Sequence, residues 1–196
     1  MTLGSSELQR LSNLIAAGGV VACPTETFVG LLASALDDAA VARVCALKGR
    51  SELQPIGVLL PDVAALSSVA LEIPELAQRL AARHWPGPLS LVLRARPGLP
   101  AGLCKDGKIA ARVPGRSPAL ELVRAFGGPL TATSANLTGR APARTVEDVQ
   151  AAFPVGLAAM VAGVAPGGLA STLLDVTGAK PVLLRVGAIP LDALGI

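Results

Sequence analysis

The chain has 196 residues, 52% of them apolar and 16% charged, with a net charge of +3 at neutral pH. No apolar run approaches the ~20 residues of a membrane-spanning helix, because Arg, Asp, Gly or Pro interrupts each one, and the first ten residues lack the order of a signal peptide. A cytoplasmic protein without membrane association is therefore expected, with Cys23, Cys45 and Cys104 as reduced, largely buried thiols, since they show no C-x-x-C spacing.

Helical and strand-like stretches alternate along the chain, as in an α/β domain. Ser5 or Ser6 is placed to cap a helix carrying Leu8, Leu11, Leu14 and Ile15 on one face, which Gly18-Gly19 ends. Residues 20–23 read as a short buried strand. Asp37-Asp38 opens a second helix with Val41, Val44, Cys45 and Leu47, and Gly49 suits its C-cap. Residues 56–60 form a strand, and Asp62 caps a short helix. Pro74 fits the first turn of a helix running to about residue 83. Strands follow at 89–93 and 109–113, then a helix opened by Ser117-Pro118 and closed by Gly127-Gly128. Residues 130–133 are a strand, and Thr145 with Asp148 forms a capping box for a helix to residue 153. Strands are expected near 158–161, 172–176 and 182–186. With no repeat, long linker or low-complexity tract, residues 1–196 are expected to form a single domain.

The charge is unevenly distributed. Residues 76–146 hold eleven Lys/Arg against Asp106 and Glu121, while the rest of the chain is net acidic. That bias suits nucleotide phosphates or RNA, or simply a solvated positive face. The scarcity of aromatic residues, 2% of the chain, argues against stacking on single-stranded RNA.

Several chemistries are excluded. His84 is the sole histidine, so a histidine metal cluster or a Ser-His-Asp triad cannot be assembled, and His84 beside Trp85 reads as structural. There is no G-x-x-x-x-G-K-[ST] and no G-x-G-x-x-G. Ser134 lies outside any G-x-S-x-G elbow.

Four polar segments stand out within apolar surroundings. Pro24-Thr25-Glu26-Thr27 follows a buried strand, where open α/β sheets bind ligands; it serves equally as a plain strand-to-turn connection. Lys48-Gly49-Arg50, followed by Gln54-Pro55, puts two cations at a helix end, where they could grip phosphates or merely complement the helix dipole. The third runs from Thr131 to Arg140 and includes Thr133-Ser134-Ala135-Asn136. The fourth is Ala170-Ser171-Thr172.

Together these segments resemble the threonylcarbamoyl-AMP synthase (YrdC-like) family. The landmarks are PTET at 24–27, KGR at 48–50, WPGPLS at 85–90, ARVP at 111–114, TSAN at 133–136, ST at 171–172 and LLRVGAI at 183–189. The resemblance implies a twisted, open, mixed α/β sheet flanked by helices, with a large basic concave site. It implies a nucleotidyltransferase that makes threonylcarbamoyl-AMP and pyrophosphate from L-threonine, bicarbonate and ATP, for the threonylcarbamoyl modification of tRNA adenosine 37. A downstream tRNA threonylcarbamoyl transferase complex would receive the product.

Carried over by motif, Thr27, Arg112, Ser134 and Ser171 would hold threonine, with Arg112 on its carboxylate. Lys48, Arg50, Gln54, Asn136, Arg144 and Arg185 would surround ATP, whose phosphates hold Mg²⁺. Lys48, Arg50, Ser134 and Asn136 would carry catalysis by charge neutralisation and alignment. Replacing Lys48 or Arg50 by Ala should then remove activity and leave the fold intact.

Four positions depart from the family pattern. Val29 stands where Tyr is usual, with Phe28 as a partial substitute, and Lys108 is expected to add charge near the nucleotide. Pro142 and Arg144 replace residues often found as Ser and Thr. The chain is expected to be of the short type, without the extra C-terminal domain of longer members. An alternative is a YrdC-like RNA- or tRNA-binding paralogue without synthase activity. A carbamoyl-transfer domain of hydrogenase maturation would expect zinc-finger and acylphosphatase-like domains alongside.

Overall fold

Among the described residues, ten short strands join into one mixed sheet. The computed structural model describes residues 2–49 and 55–196. In chain order the elements are α1 (Ser5–Ala16), β1 (Val21–Pro24), β2 (Val29–Leu32), α2 (Asp38–Lys48), β3 (Gly57–Leu59), α3 (Glu75–His84), β4 (Leu89–Arg94), β5 (Cys104–Lys105), β6 (Lys108–Arg112), α4 (Pro118–Phe126), β7 (Leu130–Ser134), α5 (Val146–Ala152), β8 (Ala159–Met160), β9 (Thr172–Asp175), β10 (Val182–Arg185) and α6 (Leu191–Leu194). Across the sheet the order is β10-β9-β4-β6-β3-β7-β2-β1-β8, with β5 beside β6.

Local chemistry sets several element ends. Asp37 accepts from the backbone N–H groups of Ala39 and Ala40, and Gly49 ends α2 with φ of 56°, a backbone setting that favours glycine. Ser117 caps α4 ahead of Pro118, and the Thr145/Asp148 capping box opens α5. At α1 the expectation fails. Gly4 holds the cap position without any side-chain bond, and Ser5 is the first helical residue.

For Pro24-Thr25-Glu26-Thr27 the plain strand-to-turn connection is what forms: Pro24 ends β1, and the residues after it turn the chain into the antiparallel neighbour β2. Thr25 binds that turn: its Oγ1 accepts from the N–H groups of Thr27 at 3.1 Å and Phe28 at 3.3 Å, and donates to the Phe28 carbonyl at 2.8 Å. Strands β2 and β5 are additions to the sequence reading. The second arises from Asp106-Gly107, both at positive φ, which joins β5 to β6 as a two-residue hairpin.

The two faces of the sheet follow from period-two alternation. Leu31, Val58, Leu89, Leu91, Leu93 and Ala111 are buried on one face, where α1 and α4 pack against β1 and α3 against β4. Their alternates Gly30, Gly57, Ala110 and Ala132 lie on the opposite face and are small. That face remains hollow.

Candidate active site

The hollow is a cavity of about 480 Å³. Its floor is the run of small residues Gly30, Gly57, Ala110 and Ala132, and its walls include Thr25, Thr27, Phe28, Ser90, Ser134 and Ser171. Lys105, Arg112 and Arg185 are its charged lining residues, and no carboxylate joins them in the lining. Among the described residues, then, the lining carries cations alone.

Arg112 ends β6 on the concave side. Its Nη1 donates to Glu26 Oε1, and the guanidinium is buried. Burial first, and the nearby Arg185 second, push it down to about 10. That leaves it fully charged at neutral pH.

Arg185 reaches the cavity through an irregularity. Val182 pairs with Asp175 and Leu183 with Leu174, but the register then slips so that Arg185, not Leu184, stands opposite Leu173. A bulge of this kind re-aims the following side chain. Arg185 donates from Nε to the Ser171 carbonyl at 2.9 Å and from Nη2 to Ser171 Oγ at 3.0 Å. Ser171 Oγ is 2.9 Å from Ser90 Oγ. Burial lowers the Arg185 pKa from its ordinary value.

Beside this floor, Lys48 extends from the end of α2 into the loop after β7. Its ammonium donates to the Ser134 carbonyl, to the Asn136 carbonyl at 2.8 Å and to Asn136 Oδ1 at 3.3 Å. Ser134 Oγ donates to Asn136 Oδ1 at 2.5 Å. Asn136 Nδ2 in turn donates to the carbonyls of Leu137 at 2.9 Å and Arg140 at 2.7 Å. Lys48, Ser134 and Asn136, separate in sequence, thus form one hydrogen-bonded unit at the cavity edge.

Thr27, Arg112, Ser134, Ser171 and Arg185 all line the cavity. Asn136 and Arg144 instead line an adjoining groove with Arg140 and Asp148, and Pro142 borders both hollows. The Arg144 backbone N–H donates to Asp148 at 2.9 Å, and its Nη2 donates to the Pro166 carbonyl at 2.8 Å. Arg50 and Gln54 lie outside the described residues. Phe28 and Val29 both line the cavity.

Lys108 is absent from the lining and holds Asp175 at 2.8 Å, so on the sheet its charge has a carboxylate partner. The basic stretch is likewise no single free face: Arg79 pairs with Glu75 and Arg94 with Glu72, as Arg112 does with Glu26. The residues missed from sequence are Glu26, Ser90 and Lys105. The Asp106-Gly107 turn was a signal that could have revealed the hairpin presenting Lys105.

Neither Cys23 nor Cys104 is poised as a nucleophile. Burial pushes the Cys23 and Cys104 thiols up, away from the reactive thiolate. His84, lowered by burial and by Arg83, is not a lining residue. Among the described residues no group of three or more His, Cys, Asp or Glu side chains could hold a metal ion, and no helix is long and apolar enough to cross a membrane.

Residues 13–187 match the Sua5/YciO/YrdC family, described as telomere recombination. The threonylcarbamoyl-AMP synthase of Pyrococcus abyssi is 37% identical over 185 residues, covering 93% of this chain and 54% of that protein. The chain thus spans about half of that relative's length. The threonylcarbamoyl-AMP synthase of Halorhodospira halophila is 40% identical over 149 residues, 74% of this chain and 77% of its own. The crystal structure of P. abyssi Sua5 complexed with L-threonine superposes with a TM-score of 0.91 at 36% identity, covering 97% of this chain and 56% of that one. By the matched family, the shared sequence and the shared mixed-sheet fold, this chain belongs to the Sua5/YciO/YrdC family.

Proposed function

We propose that this chain is an L-threonylcarbamoyladenylate synthase, forming threonylcarbamoyl-AMP and pyrophosphate from L-threonine, bicarbonate and ATP. One observation carries the reading: a cavity lined by Arg112, Arg185, Ser171 and Thr27 adjoins the Lys48–Ser134–Asn136 unit. An amino acid would be held by its carboxylate on Arg112, beside the Ser90–Ser171 hydroxyl pair. The threonine-bound relative and the matching fold support that assignment.

The chemistry needs no protein nucleophile. The threonine ammonium first gives up a proton; the free amine then attacks the carbon of bicarbonate, with loss of water, or of the CO2 derived from it, with loss of an N–H proton, and either route gives the carbamate. A carbamate oxygen then forms a bond to the α-phosphorus of ATP as the bond to pyrophosphate breaks. Such a displacement depends on alignment and on dispersal of negative charge. Arg112 and Arg185 hold the acceptor, and Ser134 and Asn136 orient the carbamate. Lys48, with Arg50 near it in sequence, fixes the loop and supplies positive charge near the leaving phosphates. Arg144 and Asn136 would meet the nucleotide in the adjoining groove. Mg²⁺ enters with ATP as substrate, ligated by phosphate oxygens and water rather than by a protein cage, and neutralises phosphate charge. The product would pass to a tRNA threonylcarbamoyl transferase.

Pyrophosphate release from ATP, Mg²⁺ and bicarbonate, with and without L-threonine, tests the reading. Release that requires L-threonine is the expected result. Release that ignores threonine, or none together with tight salt-sensitive RNA binding, would replace it with the RNA-binding reading.

A further inference from the structure

Glu26 occupies an unusual position for a carboxylate. It sits in the turn between two threonines whose side chains line the cavity, yet it is absent from that lining. Its side chain passes behind the wall to Arg112, 86 residues away in sequence, where Oε1 accepts from Nη1. Gly115 leaves the space it needs, since a Cβ there would lie 2.9 Å from Glu26 Cγ. Oε2 is buried without a hydrogen-bond partner, a cost that folding alone gives little reason to keep.

The geometry points to Glu26 as the positioning residue that aims Arg112 at a ligand carboxylate, an inference that rests on the amino-acid-binding reading above. Among the described residues, the Arg112 side chain donates to no other group. With Nη1 held from behind, the Nε and Nη2 edge remains for a carboxylate in the cavity, the paired-donor geometry that a guanidinium offers and an ammonium does not. Glu26 also places a negative charge against Arg112, on which Arg185 acts as a like charge. The Thr25-bound turn sends Thr27 into the cavity and Glu26 behind it, which couples the two roles.

The test compares L-threonine with L-threoninol, which has CH2OH in place of the carboxylate, by calorimetric titration. The unaltered protein should prefer L-threonine by about 30-fold or more, the scale of a paired charged contact. Glu26→Ala should lower L-threonine affinity about tenfold and leave threoninol affinity unchanged, so the preference collapses. Glu26→Gln, which keeps an oxygen for Nη1 and the shape of the site, should recover part of the preference and guards against misfolding in the Ala variant. In an Arg112→Ala background, Glu26→Ala should change the preference no further. An undiminished preference in both Glu26 variants, or a parallel loss for both ligands, overturns the inference and leaves the binding reading standing. Failure of the unaltered protein to bind L-threonine overturns both, and is seen before any substitution is made.

Discussion

The Lys48 ammonium lies 2.8 Å from the carbonyl oxygen of Asn136 and also holds the Ser134 carbonyl. A lysine expected to face phosphates thus first organises the loop that carries the serine and the asparagine. Its side chain is buried, and Thr138 returns to its backbone carbonyl from both N and Oγ1 at 3.1 Å.

Lys48→Ala should therefore do more than remove activity. It strands the Asn136 carbonyl oxygen and leaves the Ser134 carbonyl with the Asn136 N–H alone, and should lower stability by about 2 kcal/mol. Urea denaturation checks this: an unchanged midpoint would assign Lys48 to the ligand alone and restore the simpler expectation that the fold is untouched.

Gly30→Ala should separate binding from folding. An added Cβ meets nothing nearer than 3.5 Å, at Thr133 O and Thr25 Cγ2, an ordinary contact. The glycine has no positive φ, so alanine restricts the unfolded chain and should hold or raise the melting temperature slightly. The methyl enters the cavity floor, and affinity for L-threonine should fall by about fivefold or more. A lower melting temperature with unchanged affinity would contradict this account of the floor.

Lys105 projects from the β5–β6 hairpin into the cavity lining and is solvent-exposed. Lys105→Ala should leave stability unchanged. ATP affinity should fall several-fold at low salt and by less at high salt, because an exposed charge is screened over about 10 Å at 0.1 M. Calorimetric titrations at two ionic strengths check both halves.

The pH dependence follows from the lining. Arg112 is lowered only to about 10, and among the described residues the lining contains no His, Asp or Glu. A lowered cation pKa means carboxylate binding persists below that value and is lost as pH rises through it. L-threonine affinity should thus be flat from about pH 6 to about pH 8, where no lining group changes charge. A titration of affinity within that window would reveal an ionising group in contact with the ligand.

The local elements were legible because their signals are local. Asp37 with Gly49, Ser117-Pro118 with Gly127, and Thr145 with Asp148 are caps written within a few residues of the helices they bound. Strand β2 was harder to see, since all four of its residues are buried and the polar-apolar alternation of a half-exposed strand is missing. The site was legible through its motifs, which brought Thr27, Arg112, Ser134, Ser171 and Arg185 into consideration. Glu26 was passed over because its role depends on a partner 86 residues away, a pairing that no local pattern encodes. Lys108 shows the reverse. Its charge was plain in sequence, but Asp175 across the sheet neutralises it.

The slip between Leu183 and Arg185 leaves this strand one residue of slack. Deleting Leu184 would smooth the pairing into regular antiparallel order with Arg185 still opposite Leu173, so the guanidinium would keep to the surface the two residues share. A frame-preserving loss of that one codon should therefore be milder than an exchange of Arg185 itself, because the strand must preserve which residue meets Leu173 rather than its own length.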